Sequence, residues 1–225
     1  MKAPVRKKPQ AKSPRALKRP GPVGGLRDTN RLQKTQAIRE AALSLFLDLG
    51  IERVSVDDIM RAAKMAKGSF YRYFTDQAQL VEELVRPLKT QMVAVLDGCL
   101  TEIEQAFTRS AQNEAYSNVG RVLAGLLVEY PGPVRLYLQE SRAPAVGARV
   151  PIIELSRLVT RYAIDITSSA LEQGLIKNVH PSVSALTVVG TTERLLYAVL
   201  LGEDIGPVEH VADHVTRMIL DGLKA

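Results

Sequence analysis

The chain lacks several features that membrane, secreted and redox proteins need. Its 225 residues include one cysteine, Cys99, and contain neither a secretory hydrophobic segment near the N-terminus nor a run of 18 apolar residues. A single cysteine cannot form an internal disulfide, which agrees with a reducing cytosol, and Cys99 is expected simply to pack in the core. We therefore expect a soluble cytoplasmic protein with no membrane partner.

Motifs of catalysis and cofactor binding are also scarce. No phosphate-binding G-x-x-x-x-G-K motif occurs, Cys99 and His180 are far apart in sequence, and no cofactor is predicted. His210, Asp213 and His214 have a spacing that brings imidazoles to one helix face and could bind a metal. However, H-V-A-D-H lacks the glutamate of H-E-x-x-H, so we favour solvated or interfacial histidines and predict no enzyme and no metal site.

Charge is distributed unevenly along the chain. Residues 1–27 contain nine basic residues and no acidic residue, whereas residues 28–77 carry a net charge of +1 and residues 78–225 a net charge of −4. Five prolines and three glycines before residue 26 oppose a regular helix there. We predict a disordered basic arm over 1–30 that adds salt-dependent phosphate contacts; the alternative is a passive solubilising extension.

Residues 55–74, S-V-D-D-I-M-R-A-A-K-M-A-K-G-S-F-Y-R-Y-F, have the layout of a helix-turn-helix. Ser55 is a favourable N-cap with Asp58 at N3, and the apolar residues Val56, Ile59 and Met60 follow a helical period. The second helical pattern begins at Lys67. It has only Phe70 and Phe74 as apolar anchors, which leaves its polar side chains free to contact phosphates and base edges.

The second pattern, A-K-G-S-F-Y-R-Y-F, resembles the recognition helix of the TetR-type transcriptional regulators. The resemblance covers about residues 33–86 and includes T-Q-A-I-R-E-A-A-L-S-L-F-L-D-L-G, a first helix that Gly50 ends. It implies an all-α fold, with a three-helix DNA-binding head over 31–77 joined to a larger helical ligand-binding and dimerisation body over 78–225. The residues that it assigns to DNA binding are Ser55, Lys64, Ala66, Lys67, Gly68, Ser69, Tyr71, Arg72, Tyr73 and Gln77.

Three of these positions depart from the family pattern. Lys64 replaces the usual turn glycine, Ala66 replaces a Ser or Thr cap, and Gln77 replaces a Lys that commonly contacts phosphate. Loss of an N-cap costs on the order of 1 kcal/mol, and a non-glycine residue in a left-handed turn is mildly strained. We therefore expect the head to keep its fold with reduced stability.

Everything after Asp76 has the periodicity of helices that are punctuated by proline and glycine. The predicted helices run from 77 through a kink at Pro87 toward Phe107, and then over 114–129, 134–141, 151–173, 181–201 and 207–223. The last two are apolar around much of their circumference, which predicts burial, and the resemblance implies that they pair across a two-fold axis in a homodimer. The predicted interface residues are Leu195, Leu196, Val199, Val211, Val215 and Met218.

The resemblance also implies a cavity in the body whose occupant weakens DNA binding. We predict as its polar lining Tyr130, Arg135, Tyr137, Tyr162, Asp165 and Tyr197. The predicted function is a homodimeric repressor that binds a palindromic operator in double-stranded DNA and is released by a small apolar or amphipathic effector. The alternative is a helix-turn-helix interaction protein that binds DNA and a protein partner without an inducer; an internal apolar cavity would favour the first function.

Overall fold

The computed structural model describes residues 26–106, 108–176, 179–207, 211, 214, 215, 217 and 218. These residues form α-helices, joined by turns and short 3₁₀ segments, and none of them lies in a strand. The helices are α1 (Leu26–Leu49), α2 (Val56–Ala62), α3 (Gln77–Glu104), α4 (Arg109–Glu129), α5 (Pro131–Glu140), α6 (Val150–Glu172) and α7 (Pro181–Leu200), and the 3₁₀ segments are Ile51–Arg53, Lys67–Arg72 and Gly147–Arg149. The predicted all-α fold is confirmed. Of the predicted last helix, residues 211, 214, 215, 217 and 218 are described and are helical.

Helix α1 begins earlier than the sequence predicts. Residues 26–30 were predicted to belong to the basic arm, but they form the first turn of α1. The last helix-breaking residues, Gly24 and Gly25, precede this turn, and Asp28 places a carboxylate near the positive end of the helix dipole. Residues 1–25, which include most of the predicted arm, lie outside the described residues. The contact of this arm with DNA stays a prediction.

The head has the predicted helix-turn-helix arrangement. The Ser55 hydroxyl accepts a hydrogen bond from the Asp58 backbone N–H at 3.2 Å, while Asp58 Oδ2 accepts from the Ser55 N–H at 3.1 Å, so the capping box is complete. Lys64 occupies the turn after α2 with φ 56°, a left-handed conformation, as its position predicts. Phe70 and Phe74 are buried and anchor the Lys67–Arg72 segment against α1 and α2.

The body differs from the prediction at two helix boundaries. Helix α4 begins at Arg109 rather than near 114, because the Thr108 hydroxyl accepts a hydrogen bond from the Ala111 N–H and caps the helix. Helix α5 begins at Pro131 rather than after Pro133, since proline is tolerated in the first turn, where its missing N–H would have no partner. Pro87 lies inside the long helix α3 without ending it.

Helix α3 connects the head to the body. Its first half packs into the same core as the head through Leu80, Leu84 and Leu88, and its second half carries Cys99 and Ile103 into a second apolar cluster with α6. Helix α3 packs against α4, α5 and α6, and α7 packs against α6 and α5. The body is therefore a helical bundle built on one continuous helix that starts beneath the DNA-binding head.

Candidate functional site

The exposed side chains of the Lys67–Arg72 segment form the candidate DNA-binding surface. Lys67, Tyr71 and Arg72 project into solvent, and Tyr71 is 65% exposed although it is a large aromatic residue. Ser69 and Tyr73 are half-buried. A side chain built at Gly68 would meet no atom within 4 Å, so the protein's own packing does not require glycine there. Close approach by another molecule would explain it.

Several of the predicted DNA-binding residues already have partners within the head. Ser55 and its hydroxyl belong to the capping box, and the Gln77 side-chain amide donates to the Val54 carbonyl at 2.9 Å, which ties α3 to the start of α2. Ala66 is the N-cap of the Lys67–Arg72 segment and supplies no side-chain hydrogen bond. Its carbonyl instead accepts from the Ser69 hydroxyl at 2.6 Å.

The acidic first turn of α2 reduces the positive charge of the surface. Lys67 Nζ lies 3.8 Å from Asp57 Oδ2, and Arg61 lies within 3.6 Å of both Asp57 and Asp58. The capping hydrogen bonds from Ser55 hold the pKa of Asp58 below its usual value. Asp57 and Asp58 thus lie beside Lys67 and Arg61, whereas Lys64 and Arg72 are exposed cations near the turn.

The body contains a cavity of about 240 Å³ between helices α3, α4, α5, α6 and α7. Its wall is largely aliphatic. The polar side chains that reach it are Tyr116, Tyr137, Thr167, Ser184, Thr192 and Glu193, and the sulfur-bearing ones are Met92 and Cys99. Burial raises the pKa of Cys99 to about 12 and also raises the pKa of Tyr116. Both groups are therefore neutral at physiological pH.

One ion pair lies at the edge of this cavity. Glu193 of α7 accepts a hydrogen bond from the Tyr137 hydroxyl of α5 at 2.8 Å and pairs with Arg142 Nη2 at 2.9 Å. The Glu193 side chain is 13% exposed, whereas that of Arg142 is 70% exposed. Burial, followed by the negative charge of Glu193, raises the pKa of Tyr137. This group gives an otherwise apolar cavity one polar end that opens toward solvent.

Of the six predicted ligand contacts, only Tyr137 lines the cavity. Arg135 and Asp165 are exposed on the outer faces of α5 and α6, and Tyr162 donates to Asp97 at 3.4 Å outside the cavity. Tyr130 caps the end of α4, and Tyr197 lies on a part of α7 that does not reach the wall. The prediction selected polar residues without knowing which face of each helix turns inward, and the structure does not place these five at the cavity.

The structure places the predicted interface residues as follows. Five of them line the cavity, namely Leu195, Leu196, Val199, Val211 and Val215, while Met218 is 63% exposed. The outward face of α7 instead carries Val183, Leu186 and Leu201, which are 60%, 58% and 51% exposed. This second face is thus the more exposed apolar face of the helix. Sequence reasoning missed Ser184 and Thr192, although both fall at helical spacing within the apolar stripe that lines the cavity.

The possible histidine metal site is only partly described. His210 and Asp213 lie outside the described residues, and His214 is helical. Among the residues that the structure describes, no group of three or more His, Cys, Asp or Glu side chains is placed to hold a metal ion.

Comparison with known proteins identifies the head. The family model of bacterial regulatory proteins of the tetR family matches residues 38–84, which include the second half of α1, all of α2 and the Lys67–Arg72 segment. Over these residues the chain is similar to the TetR family of bacterial regulators. It is 34% identical over 84 residues to the transcriptional regulator AcuR of Cereibacter sphaeroides, a match that covers 34% of this chain and 38% of AcuR. The predicted resemblance of the head to TetR-type DNA-binding regulators is thus confirmed.

Solved structures share the whole fold. FadR of Bacillus subtilis, solved with stearoyl-CoA, superposes with a TM-score of 0.61 at 18% identity, covering 84% of this chain and 99% of FadR. AibR, solved with isovaleryl-CoA and operator DNA, gives a TM-score of 0.58 at 23% identity, covering 82% and 97% of the two chains. The likeness in fold therefore extends over the helical body as well as the head.

Proposed function

We propose that the protein is a homodimeric repressor that binds a palindromic operator and is released by an apolar or amphipathic small molecule. The observation that carries the proposal is the combination, in one chain, of an exposed Lys67–Tyr71–Arg72 surface and an internal apolar cavity. The cavity is the feature that favours a ligand-responsive repressor over an interaction protein without an inducer. The protein acts in the cytoplasm, where it has access to the chromosome, and is not an enzyme.

The DNA-binding half of the proposal rests on base readout by the Lys67–Arg72 segment. Selection of duplexes from a random pool would define the operator, which we expect to be a palindrome because two symmetric heads read two half-sites. Lys67→Ala and Tyr71→Ala are each expected to weaken operator binding by about 1–3 kcal/mol. Lys89→Ala, which removes an exposed lysine from the body, serves as the control and should bind normally. Unchanged operator affinity in both head variants would refute the assignment.

The second part of the proposal concerns the chemical class of the small molecule that binds in the cavity. FadR and AibR were solved with acyl-CoA thioesters, and an acyl chain suits the aliphatic wall of this cavity. The cavity, of about 240 Å³, offers such a chain an enclosed and largely aliphatic space. Octanoyl-CoA is therefore the first compound to test. It should release the operator at lower concentration than free CoA, which has no acyl chain to place in the cavity.

We place the dimer interface on the outward face of α7, where large apolar side chains are exposed. Helix α7 is long and apolar enough to cross a membrane by length and composition, and 17% of its apolar window is buried inside the chain. It also carries Glu193 and Arg194, and each charged residue at a bilayer centre costs about 2.5–3.5 kcal/mol on insertion scales. Packing against a second subunit covers Val183, Leu186 and Leu201 without placing those charges in lipid.

A further inference from the structure

A buried ion pair joins the body to the DNA-binding head. Glu140, the last residue of α5, accepts a hydrogen bond from Arg149 Nε at 2.6 Å and from the Ile51 backbone N–H at 3.1 Å. Arg149 Nη1 also lies 3.5 Å from Glu52 Oε1 and donates to the Pro144 carbonyl at 3.3 Å. We call this group, formed by Glu140, Arg149, Glu52 and the Ile51 amide, the head–body clasp.

The two principal members of the clasp are well shielded from water. The side chains of Glu140 and Arg149 are 9% and 10% exposed. Charges at such a depth persist only when they are paired and hydrogen-bonded, and separating them costs more than breaking an exposed pair. The clasp should therefore resist small displacements and then open as a unit, because a partly separated buried pair is unfavourable.

The head contributes a backbone N–H, that of Ile51, to the contact with Glu140, and the Glu52 carboxylate to the contact with Arg149. Gly50 ends α1 with φ 82°, and Ile51 opens the next 3₁₀ turn, where its N–H has no partner within the helix. A Cβ at Gly50 would lie 3.4 Å from Glu140 Oε1. The carboxylate thus approaches the end of α1 directly, so a shift of Glu140 acts on the backbone of the head.

Helix α5 also contacts the cavity, at a position close to Glu140. Tyr137, three residues before Glu140, lines the cavity and donates to Glu193. Two further contacts join α5 to α1: Gln139 Nε2 donates to the Leu47 carbonyl at 3.4 Å, and Gly132 packs beneath Leu43 so closely that an added Cβ would lie 2.8 Å from its Cδ2. One short helix therefore contacts both the cavity and the head.

We propose that Glu140 is the positioning residue through which occupancy of the cavity changes the pose of the DNA-binding head. The proposal rests on the function proposed above, since it needs a head that binds DNA and a cavity that binds a ligand. A ligand that displaces Tyr137 from Glu193 moves α5, and the movement reaches Ile51 through Glu140. In a variant without the clasp, the ligand still binds in the cavity, but its binding no longer changes the pose of the DNA-binding head.

The direct test uses Glu140→Gln, which keeps the side-chain length and loses the charge that holds Arg149. Affinity for the selected operator is measured with and without octanoyl-CoA, and octanoyl-CoA binding is measured separately by calorimetry. For the unchanged chain, a coupling of about 5- to 150-fold in operator affinity is expected, the usual range for allosteric proteins. Glu140→Gln should bind octanoyl-CoA with unchanged affinity and lose most of that coupling.

Glu154→Gln is the matched control, because Glu154 is an exposed carboxylate of α6 outside the clasp. It should retain the full coupling. If Glu140→Gln is poorly folded by circular dichroism, the double variant Glu140→Gln with Arg149→Met removes both buried charges and restores a neutral interior. Full coupling in a folded clasp variant would overturn the proposal.

A second measurement is independent of the ligand. Tyr137→Phe removes the hydrogen bond to Glu193, and its effect on operator affinity is compared alone and in combination with Glu140→Gln. Non-additive effects, larger than threefold, support a connection through α5, and additive effects overturn it. Failure of the unchanged chain to bind any selected duplex would overturn the proposed function itself, whereas operator binding with additive effects would overturn the role of Glu140 alone.

Discussion

Leu186→Glu should convert the dimer to monomers. Leu186 lies on the outward face of α7 and is 58% exposed in the single chain, next to Val183 on the same face. Complete burial of a leucine side chain contributes about 1.5–3 kcal/mol, so covering the exposed fraction contributes about 1–2 kcal/mol in each subunit. A two-fold interface contains the residue twice, and the substitution therefore removes about 2–4 kcal/mol before the new charges are considered.

The introduced carboxylates add to this loss. Two glutamates near a two-fold axis repel each other and lose water on association. Because each 1.4 kcal/mol is a tenfold change in the dissociation constant, the total corresponds to a weakening of about a hundredfold or more. Sedimentation velocity across a concentration series should show monomers for Leu186→Glu where the unchanged chain is dimeric, and operator binding should fall with dimerisation.

Two other variants make this experiment specific. Val128 of α4 is 86% exposed, more than Leu186, so Val128→Glu adds the same charge to an exposed apolar position away from α7 and should leave the dimer intact. Leu196 lines the cavity, so Leu196→Glu should lower the thermal unfolding temperature instead of separating folded subunits. An intact dimer for Leu186→Glu would refute the placement of the interface on this face.

Two predictions concern single residues. Cys99 should react with iodoacetamide about a thousandfold more slowly in the native protein than in urea, because its pKa is raised from 9.0 to about 12 and the thiolate is the reactive form. The same shift contributes stability that is present below about pH 9 and is lost as the pH rises toward 12, which urea denaturation at several pH values would detect; fast native alkylation would show that the thiol is accessible. Lys64→Gly should raise the free energy of unfolding by about 0.5–1 kcal/mol, since it relieves a left-handed conformation at some cost in chain entropy. A lower urea midpoint for this variant would mean that the Lys64 side chain stabilises the turn.

The sequence predicts the head well because each of its signals is local. Ser55 and Asp58 are three residues apart and form the capping box that this spacing indicates, and Gly50 and Lys64 adopt the left-handed conformations that their positions require. Phe70 and Phe74 are likewise buried as expected. Short-range chemistry of this kind needs no knowledge of the neighbouring helices.

The clasp could not be predicted in the same way. Glu140, Arg149 and Ile51 are separated by up to 98 positions in the numbering, and the first two resemble ordinary surface residues of charged helix ends. Their pairing depends on how α5 and the 147–149 turn pack against the end of α1. A buried charge has no periodic signature, so only the packed structure distinguishes it from a solvated one.

Hydrophobic periodicity fails at the cavity for a related physical reason. It identifies the face of a helix that avoids water, but Leu195, Leu196 and Val199 avoid water by facing an internal space, whereas Val183 and Leu186 remain exposed in the single chain. Both faces of α7 are apolar and follow the same spacing. The polar residues within each stripe carry the missing information: Ser184, Thr192 and Glu193 interrupt the stripe that lines the cavity, where a hydroxyl or carboxylate can meet a ligand or a Tyr137 hydroxyl. In a stripe that packs only against protein, each buried hydroxyl or carboxylate would need a hydrogen-bond partner in the core, so apolar residues are favoured there.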